Sequence, residues 1–357
     1  MPPRMSLAPS FSIEGRRIGP GRPVFIIAEI GTNHDGKPGL ARRMIDAAAA
    51  AGADCVKFQT FRAEEFMADR KLSYSYKVRG RTVRENMFAM FERLTLPAGS
   101  YPELFRHARK RGLVPLTSVA DTESLAVVRR CGISSLKLAS EDLINLPLVE
   151  AAARTRLPLL LSTGMADASE VQDALSVLAR ARASRAVFLH CVSTYPTPDE
   201  EANLRRMAGL SALVRGPVGY SDHTQGPEAC LAAVALGACV IEKHFTLDRG
   251  MAGPDHALSA EPDEFKSMVE GIRRIERQLG SARVAPSKSE LRGRLVFRRS
   301  IVAARDLPAG HRVRREDLAL KRPGKGLKAR DLPRVVGRRL LRAIAADRPV
   351  LLKALAG

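Results

Sequence analysis

From residue 24 to about residue 280 the chain alternates between two patterns of apolar and polar positions. Eight short runs are dense in β-branched and other apolar residues: VFIIAEI (24–30), DCVKFQT (54–60), LVPLTSV (113–119), SLKLAS (135–140), LPLLLST (157–163), AVFLHCV (186–192), PVGYSDH (217–223) and CVIEKHF (239–245). Between them, over 40–51, 101–111, 123–130, 168–180, 203–214, 227–236 and 263–279, apolar positions recur every three or four residues on an alanine-rich background. The short runs fit strands buried on both faces, and the longer periodicity predicts amphipathic helices. Strict alternation of the two argues for a parallel sheet, and eight repeats over roughly 250 residues predict an α/β fold of the (β/α)8 barrel type. A weak internal repeat agrees: AGADCVKFQ, CGISSLKLA and LGACVIEKH each place a glycine just ahead of a strand lysine.

Three stretches fall outside the alternation. Residues 1–23, with SFSIEGRRIGPGRPV, predict a glycine-turned β-hairpin that caps the N-terminal mouth of the barrel at 24–280. Residues 61–96 are too long for an ordinary strand-to-helix loop and predict a lid or a subunit contact. After residue 280, SARVAPSKSELRGR is polar, basic and aperiodic, and 281–294 therefore reads as a linker. Beyond it, 295–357 holds β-rich pieces (LVFRRSIVAA, PVLLKAL) between LPAG, KRPGKG and LPRVVG turns, a small β-rich unit whose core needs outside support.

Charge sharpens this division. The 357 residues carry a net +20, but 281–357 hold 21 basic and 6 acidic side chains, which leaves only +5 for the first 280. A basic tail suggests a polyanion partner, yet Phe297 is its only aromatic residue. It lacks the stacking platforms of single-strand binders and the motifs of DNA readers, so nucleic acid is not the expected partner. No apolar run is long enough to span a bilayer and MPPRMSLAPSF has no signal-peptide centre, so neither a membrane nor export is expected and the cytoplasm is the expected compartment. Five cysteines without a C-x-x-C pair argue against disulfides and thiolate zinc sites.

Strand interiors in a parallel barrel should be apolar, and polar residues at strand C-terminal ends point to chemistry. Almost every strand here ends in one: Glu29, Lys57 and Gln59, Thr117 and Ser118, Lys137 and Ser140, Ser162 and Thr163, Ser193 and Tyr195, Asp222 and His223, Lys243 and His244. Lys57 and Lys137 with the hydroxyls of Ser118, Ser140 and Ser162 make a pocket suited to a phosphate or carboxylate. His223 and His244 end adjacent strands and can share one ion. With no third histidine or cysteine suitably spaced, water and substrate oxygens would complete the shell, which favours exchangeable Mn2+, Mg2+ or Co2+. Asp255, in the loop GMAGPDHA, is placed to hold water or a sugar hydroxyl.

These residues lie in motifs that resemble the bacterial sialic acid (N-acetylneuraminate) synthases and the related legionaminic and pseudaminic acid synthases: AEIGTNHDG (28–36), VKFQT (56–60), LKLAS (136–140), LSTGM (161–165), HCVSTYPTP (190–198), GYSDHT (219–224), IEKHFTLD (241–248), GPDHALS (253–259) and KRPGKG (321–326). The resemblance implies a (β/α)8 TIM barrel followed by a SAF (antifreeze-like) domain in a domain-swapped homodimer. It also implies a transferase reaction in which phosphoenolpyruvate condenses with an N-acetylated aldose, N-acetylmannosamine first, to give a nonulosonic acid and phosphate. A 6-deoxy diacetamido hexose, as used for pseudaminic or legionaminic acid, is the alternative acceptor. Outside catalysis, the alternative is a polyanion-binding module on an inactive barrel. By motif position Lys57, Ser118, Lys137, Ser140, Ser162 and Ser193 would hold phosphoenolpyruvate, and His223 and His244 the metal. Glu29, Gln59, Tyr195, Asp255 and Arg322 would orient the sugar, while Glu29, Asp142 and Lys57 would be catalytic. The chain departs from the family's usual threonine, glutamate and asparagine at Ser118, Asp142 and Ser193, and Asp142 shortens its carboxylate's reach by one methylene.

Overall fold

The computed structural model describes residues 6–356; the first five residues of the interval assigned to the hairpin cap, and Gly357, lie outside it. The chain divides into two compact units, residues 1–280 and 281–357. The first begins with β1 (Phe11–Ile13) and β2 (Arg16–Ile18), an antiparallel pair. There follow β3 (Phe25–Glu29), α1 (Pro38–Ala50), β4 (Cys55–Thr60), α2 (Ala63–Phe66), β5 (Ser73–Val78), β6 (Arg81–Asn86), α3 (Met87–Leu94) and α4 (Tyr101–Lys110). Next come β7 (Val114–Val119), α5 (Thr122–Arg130), β8 (Leu136–Leu138), α6 (Leu146–Arg154), β9 (Leu159–Ser162) and α7 (Ala168–Arg180). The unit ends with β10 (Ala186–Cys191), α8 (Arg206–Val214), β11 (Val218–Asp222), α9 (Glu228–Ala235), β12 (Val240–His244) and α10 (Pro262–Leu279).

Strands β3, β4 and β7 to β12 close into an eight-stranded parallel barrel, β12 pairing back onto β3. Each of the eight apolar runs contains one of these strands. The helices between them bury one face against the sheet, as the 3.6-residue period requires. Helix α6 was not foreseen. It is short, and it starts where the Asn145 side chain accepts from the Leu148 N–H, a cap just ahead of Pro147.

Side-chain parity along the strands sorts the interior. Ile26, Ala28, Val56, Phe58, Leu136 and Leu138 face the helices and join the main core. Their alternates Phe25, Ile27, Cys55, Val114, Leu116, Leu160, Val187, Leu189 and Val240 fill the lower barrel together with Phe11, Ile13 and Ile18 of the hairpin. The hairpin thus packs its apolar face into the N-terminal end of the barrel. Above this apolar layer the inward positions turn polar.

The long excursion after β4 forms α2, the β5–β6 hairpin and α3. Phe61, Phe66 and Phe91 pack edge to face with centroids 5.0–5.8 Å apart. At the hairpin tip, Arg79 donates to the Gly250 carbonyl at 3.1 Å. The excursion therefore spans the C-terminal mouth, from the loop after β4 to the loop after β12.

The second unit contains α11 (Lys288–Phe297) and an antiparallel pair, β13 (Ser300–Ala303) and β14 (Leu318–Lys321). Ile301, Leu307, Val313, Leu318, Val335, Leu340, Ile344 and Val350 are buried in its core. Two sequence expectations are corrected here. Residues 281–294 are not wholly linker: Ser287 and Glu290 form a capping box that starts α11, whose apolar residues stay exposed and so left no amphipathic signal. PVLLKAL is not a strand; Pro349 makes a single bridge to Val302, and Leu352–Ala354 is a 3-10 turn.

Candidate active site

At the C-terminal mouth of the barrel lies a cavity of about 760 Å³. Its floor is a charged layer made by the inward alternates of four strands. Lys57 of β4 forms an ion pair with Glu29 of β3 and lies 3.7 Å from Glu242 of β12; Lys137 of β8 is likewise 3.7 Å from Glu242. The Lys137 ammonium donates to Ser162 Oγ at 2.6 Å, and Ser221 Oγ donates to Glu242 at 2.9 Å. All four charged residues are buried.

Two lysines among two carboxylates set one another's protonation. Burial pushes the Glu29 carboxyl up to about 7, an effect the Lys57 charge offsets only in part. Burial also works against the Lys57 ammonium, but Glu242 and Glu29 outweigh it and hold that group above the usual lysine range. Burial opposes the Glu242 charge too, yet Lys137 and Lys57 keep its carboxyl below the usual range. Lys137 is pulled down by burial, against the attraction of Glu242 and with the repulsion of Lys57. Both ammonium groups line the cavity, the condition for neutralising an anion there.

Short donors surround the floor. Ser118, Ser140 and Ser162 line the cavity. Gly164 N–H donates to Ser140 Oγ at 3.1 Å, and a Cβ on Gly164 would lie 2.3 Å from Ser193 Oγ and 2.7 Å from Ser140 Oγ. Only glycine lets this turn approach both hydroxyls. Ser193 is therefore brought to Ser140, although it does not itself line the cavity.

On the opposite wall the imidazoles of His223 and His244 lie 5.3 Å apart between centroids, with the Tyr195 ring 4.2 Å from His223. His223 Nδ1 contacts the Val192 carbonyl at 2.7 Å, so Nδ1 carries a proton and, in the neutral imidazole, Nε2 keeps its lone pair for a ligand. His244 Nδ1 and Glu242 Oε2 are buried without partners, and the Asp255 carboxylate is 3.8 Å from His244 Nδ1. This donor set fits a divalent cation. Among the described residues no cluster of three or more His, Cys, Asp or Glu forms a self-sufficient metal site, so water or substrate oxygens would complete the coordination.

The remaining sequence-predicted residues fall into three groups. Gln59, Asp142, Tyr195 and Asp255 line the cavity. Burial, reinforced by Glu141, pushes Asp142 up to about 7, and Thr32 Oγ1 donates to Asp255 at 3.2 Å. Glu29 is the direct register partner of Lys57 and pairs with it, but is not among the residues that line the cavity. Arg322 belongs to the second unit, where it is exposed, with its guanidinium 5.8 Å above the Phe297 ring.

Asp222 and Lys243, flagged as strand-end polar groups, point away from the cavity and pair with each other at 2.6 Å. Two contributors were missed. Glu242 sits in a run read for its lysine and histidine, and only the inward parity of His244 would have marked it. Cys191 was not singled out among the cysteines, but it lines the cavity between Ser140 and His223, with sulfur contacts of 3.6 and 3.7 Å. Phe61, Phe66, Tyr74, Met87, Met90 and Phe91 of the excursion add an apolar wall.

The NeuB family model matches residues 44–284 and the SAF domain model residues 298–356. The chain is 40% identical over 306 residues to the N,N'-diacetyllegionaminic acid synthase of Campylobacter jejuni, covering 85% of this chain and 92% of that one. It is 33% identical to the N-acetylneuraminate-9-phosphate synthase of Mus musculus, covering 98% and 96%. The crystal structure of the N-acetylneuraminic acid synthetase of Leptospira borgpetersenii, in complex with citrate, superimposes with a TM-score of 0.73 at 36% identity, covering 80% of this chain and 95% of that one. Barrel, site and relatives together identify the chain as an enzyme of the NeuB family that carries a SAF domain.

Proposed function

We propose that the protein condenses phosphoenolpyruvate with an N-acetylated aldose and water to give a nonulosonic acid and phosphate. The observation that carries this reading is the stacking, in one cavity, of a lysine–carboxylate floor beneath two histidines with free nitrogens. Phosphoenolpyruvate carries a carboxylate and a phosphate on adjacent groups. Lys57 and Lys137 would neutralise it, while Ser118, Ser140 and Ser162 and the Gly164 turn supply hydrogen bonds. His223 and His244 would hold a divalent ion, Mn2+ by preference, whose chemistry when bound is to polarise the aldehyde oxygen of the acceptor. C3 of the enol then forms a bond to the aldehyde carbon, C2 captures water, and phosphate leaves with cleavage of its C–O bond.

The chain's own groups divide the remaining work. Asp142, poised near neutrality, can pass a proton either way at the edge of the floor. Gln59, Tyr195 and Asp255 would orient the sugar. On the resemblance, Arg322 of a second copy would complete the acceptor site in a homodimer. N-acetylmannosamine and a 6-deoxy diacetamido hexose both satisfy the requirement for an N-acylated aldose, and relatives named for both product classes support the wider reading.

The test is phosphate release by EDTA-stripped protein, with and without Mn2+, across a panel of aldoses headed by N-acetylmannosamine. Release that needs both the metal and one acceptor is the expected result. No release with any acceptor, in folded protein, would overturn the assignment.

A further inference from the structure

The residues immediately before the two histidines, Asp222 and Lys243, are directly paired in the β11–β12 register. Parity turns them outward, away from the cavity, where both are buried. The Lys243 ammonium donates to Asp222 Oδ2 at 2.6 Å and to the Thr224 carbonyl at 2.7 Å. It therefore grips the residue on each side of His223 while being the chain neighbour of His244. The other carboxylate oxygen of Asp222 accepts from the Thr224 N–H and hydroxyl at 2.9 and 2.8 Å and from the Tyr220 hydroxyl at 3.0 Å. Cys230 of α9 closes the network with a sulfur contact to Oδ2 at 3.1 Å.

Nothing in the proposed chemistry uses this pair, and a buried ion pair is seldom maintained for stability alone, because desolvation cancels much of its attraction. Its placement supplies another role. Each strand end would otherwise be free to fray at its last residue, and a small rotation of either end would change the separation of the two imidazoles. His244 makes this acute, since its own Nδ1 has no partner to hold the ring.

We infer that Asp222 and Lys243 are positioning residues: an outward-facing clasp that fixes the spacing of His223 and His244 and thereby sets affinity for the divalent ion. The inference rests on the divalent-ion reading of those histidines.

The test is direct Mn2+ binding to the full-length apo protein without substrate, followed by the electron paramagnetic resonance of free Mn2+. Lys243→Met and Asp222→Asn should weaken binding by about 10- to 100-fold, the range for residues that orient metal ligands. Lys243→Arg should restore part of the affinity. Binding of inorganic phosphate, which depends on the Lys57 and Lys137 floor, should change by less than about twofold. Thr224→Val keeps the charges paired and removes one bond to Asp222; it should weaken Mn2+ binding several-fold and covers the case in which a charge-removing variant does not fold. Unchanged Mn2+ affinity in folded variants would overturn the inference and reduce the pair to a strand tie. Failure of the wild-type protein to bind Mn2+ at all would overturn the underlying metal reading with it.

Discussion

Glu242 is the sole carboxylate within ion-pair distance of Lys137 among the described residues, and it is shared with Lys57 at the same 3.7 Å. Replacing it by glutamine keeps the shape, and an acceptor for Ser221, while deleting one charge. At an effective dielectric near 20, each contact is worth about 4.5 kcal/mol of gross attraction. Removing one partner of a buried pair costs about 3–5 kcal/mol net, since the orphaned ammonium must stay desolvated. For a domain of this size that lowers the melting temperature by roughly 6–20 °C. Because Lys57 keeps Glu29, the deficit falls mainly on Lys137, whose remaining partner is the Ser162 hydroxyl at 2.6 Å. An anion is the natural replacement. Inorganic phosphate should therefore stabilise Glu242→Gln, by up to about 2.7 kcal/mol at a hundredfold excess over its dissociation constant, and raise its melting temperature more than that of the wild type. Differential scanning fluorimetry across a phosphate titration reads both effects. If Glu242→Gln melts within about 2–4 °C of the wild type, a shift worth roughly 1 kcal/mol, and gains no more from phosphate, the charges of the floor are not interdependent and the argument fails.

Four further outcomes are expected. Asp142 binds its proton more tightly folded than unfolded, with its carboxyl pushed up to about 7, so its contribution to stability is lost as pH rises from about 4 to 7; Asp142→Asn should flatten that part of a melting-temperature profile against pH. Gly164→Ala places a methyl against the Ser140 and Ser193 hydroxyls and should raise KM for phosphoenolpyruvate about tenfold while leaving KM for the sugar unchanged in initial-rate kinetics. Replacing 73–86 by a short glycine linker removes a hairpin with no fully buried side chain; melting should shift by only a few degrees while KM for the acceptor rises about tenfold or more. Finally, His223→Ala and Arg322→Ala, each inactive alone, should recover about a quarter of the wild-type sites when mixed and refolded together, if Arg322 serves the other subunit; no recovery would place it in its own subunit's site.

The barrel was legible because its strands are continuous apolar runs and its helices keep a 3.6-residue period. The site was partly legible, and its errors have a common cause. The three glycine-to-lysine repeats look equivalent, but Gly52 and Gly132 stand five residues before Lys57 and Lys137, whereas Gly237 stands six before Lys243. In a strand one residue is the difference between faces. Lys57 and Lys137 therefore enter the cavity, Lys243 turns out to Asp222, and the inward place goes to Glu242. Composition carried no sign of this. Helix α11 escaped for a different reason: its start is specified by the Ser287–Glu290 cap, and it buries no apolar stripe that a periodicity search would find. The apolar cavity wall also lay beyond reach, because Phe66, Tyr74, Met87 and Phe91 converge only through the fold of the excursion.

The hairpin plug at the base has a consequence for the order of events. Among the described residues Phe11, Ile13 and Ile18 fill the lower barrel, so the chamber opens at the C-terminal mouth, and the anion floor lies at the end away from it. On the proposed assignment, whatever occupies the floor must enter before the sugar and cannot leave past it. On that assignment a dead-end chamber would impose a sequence of arrivals, phosphoenolpyruvate first, and would make any acceptor that arrives early an inhibitor.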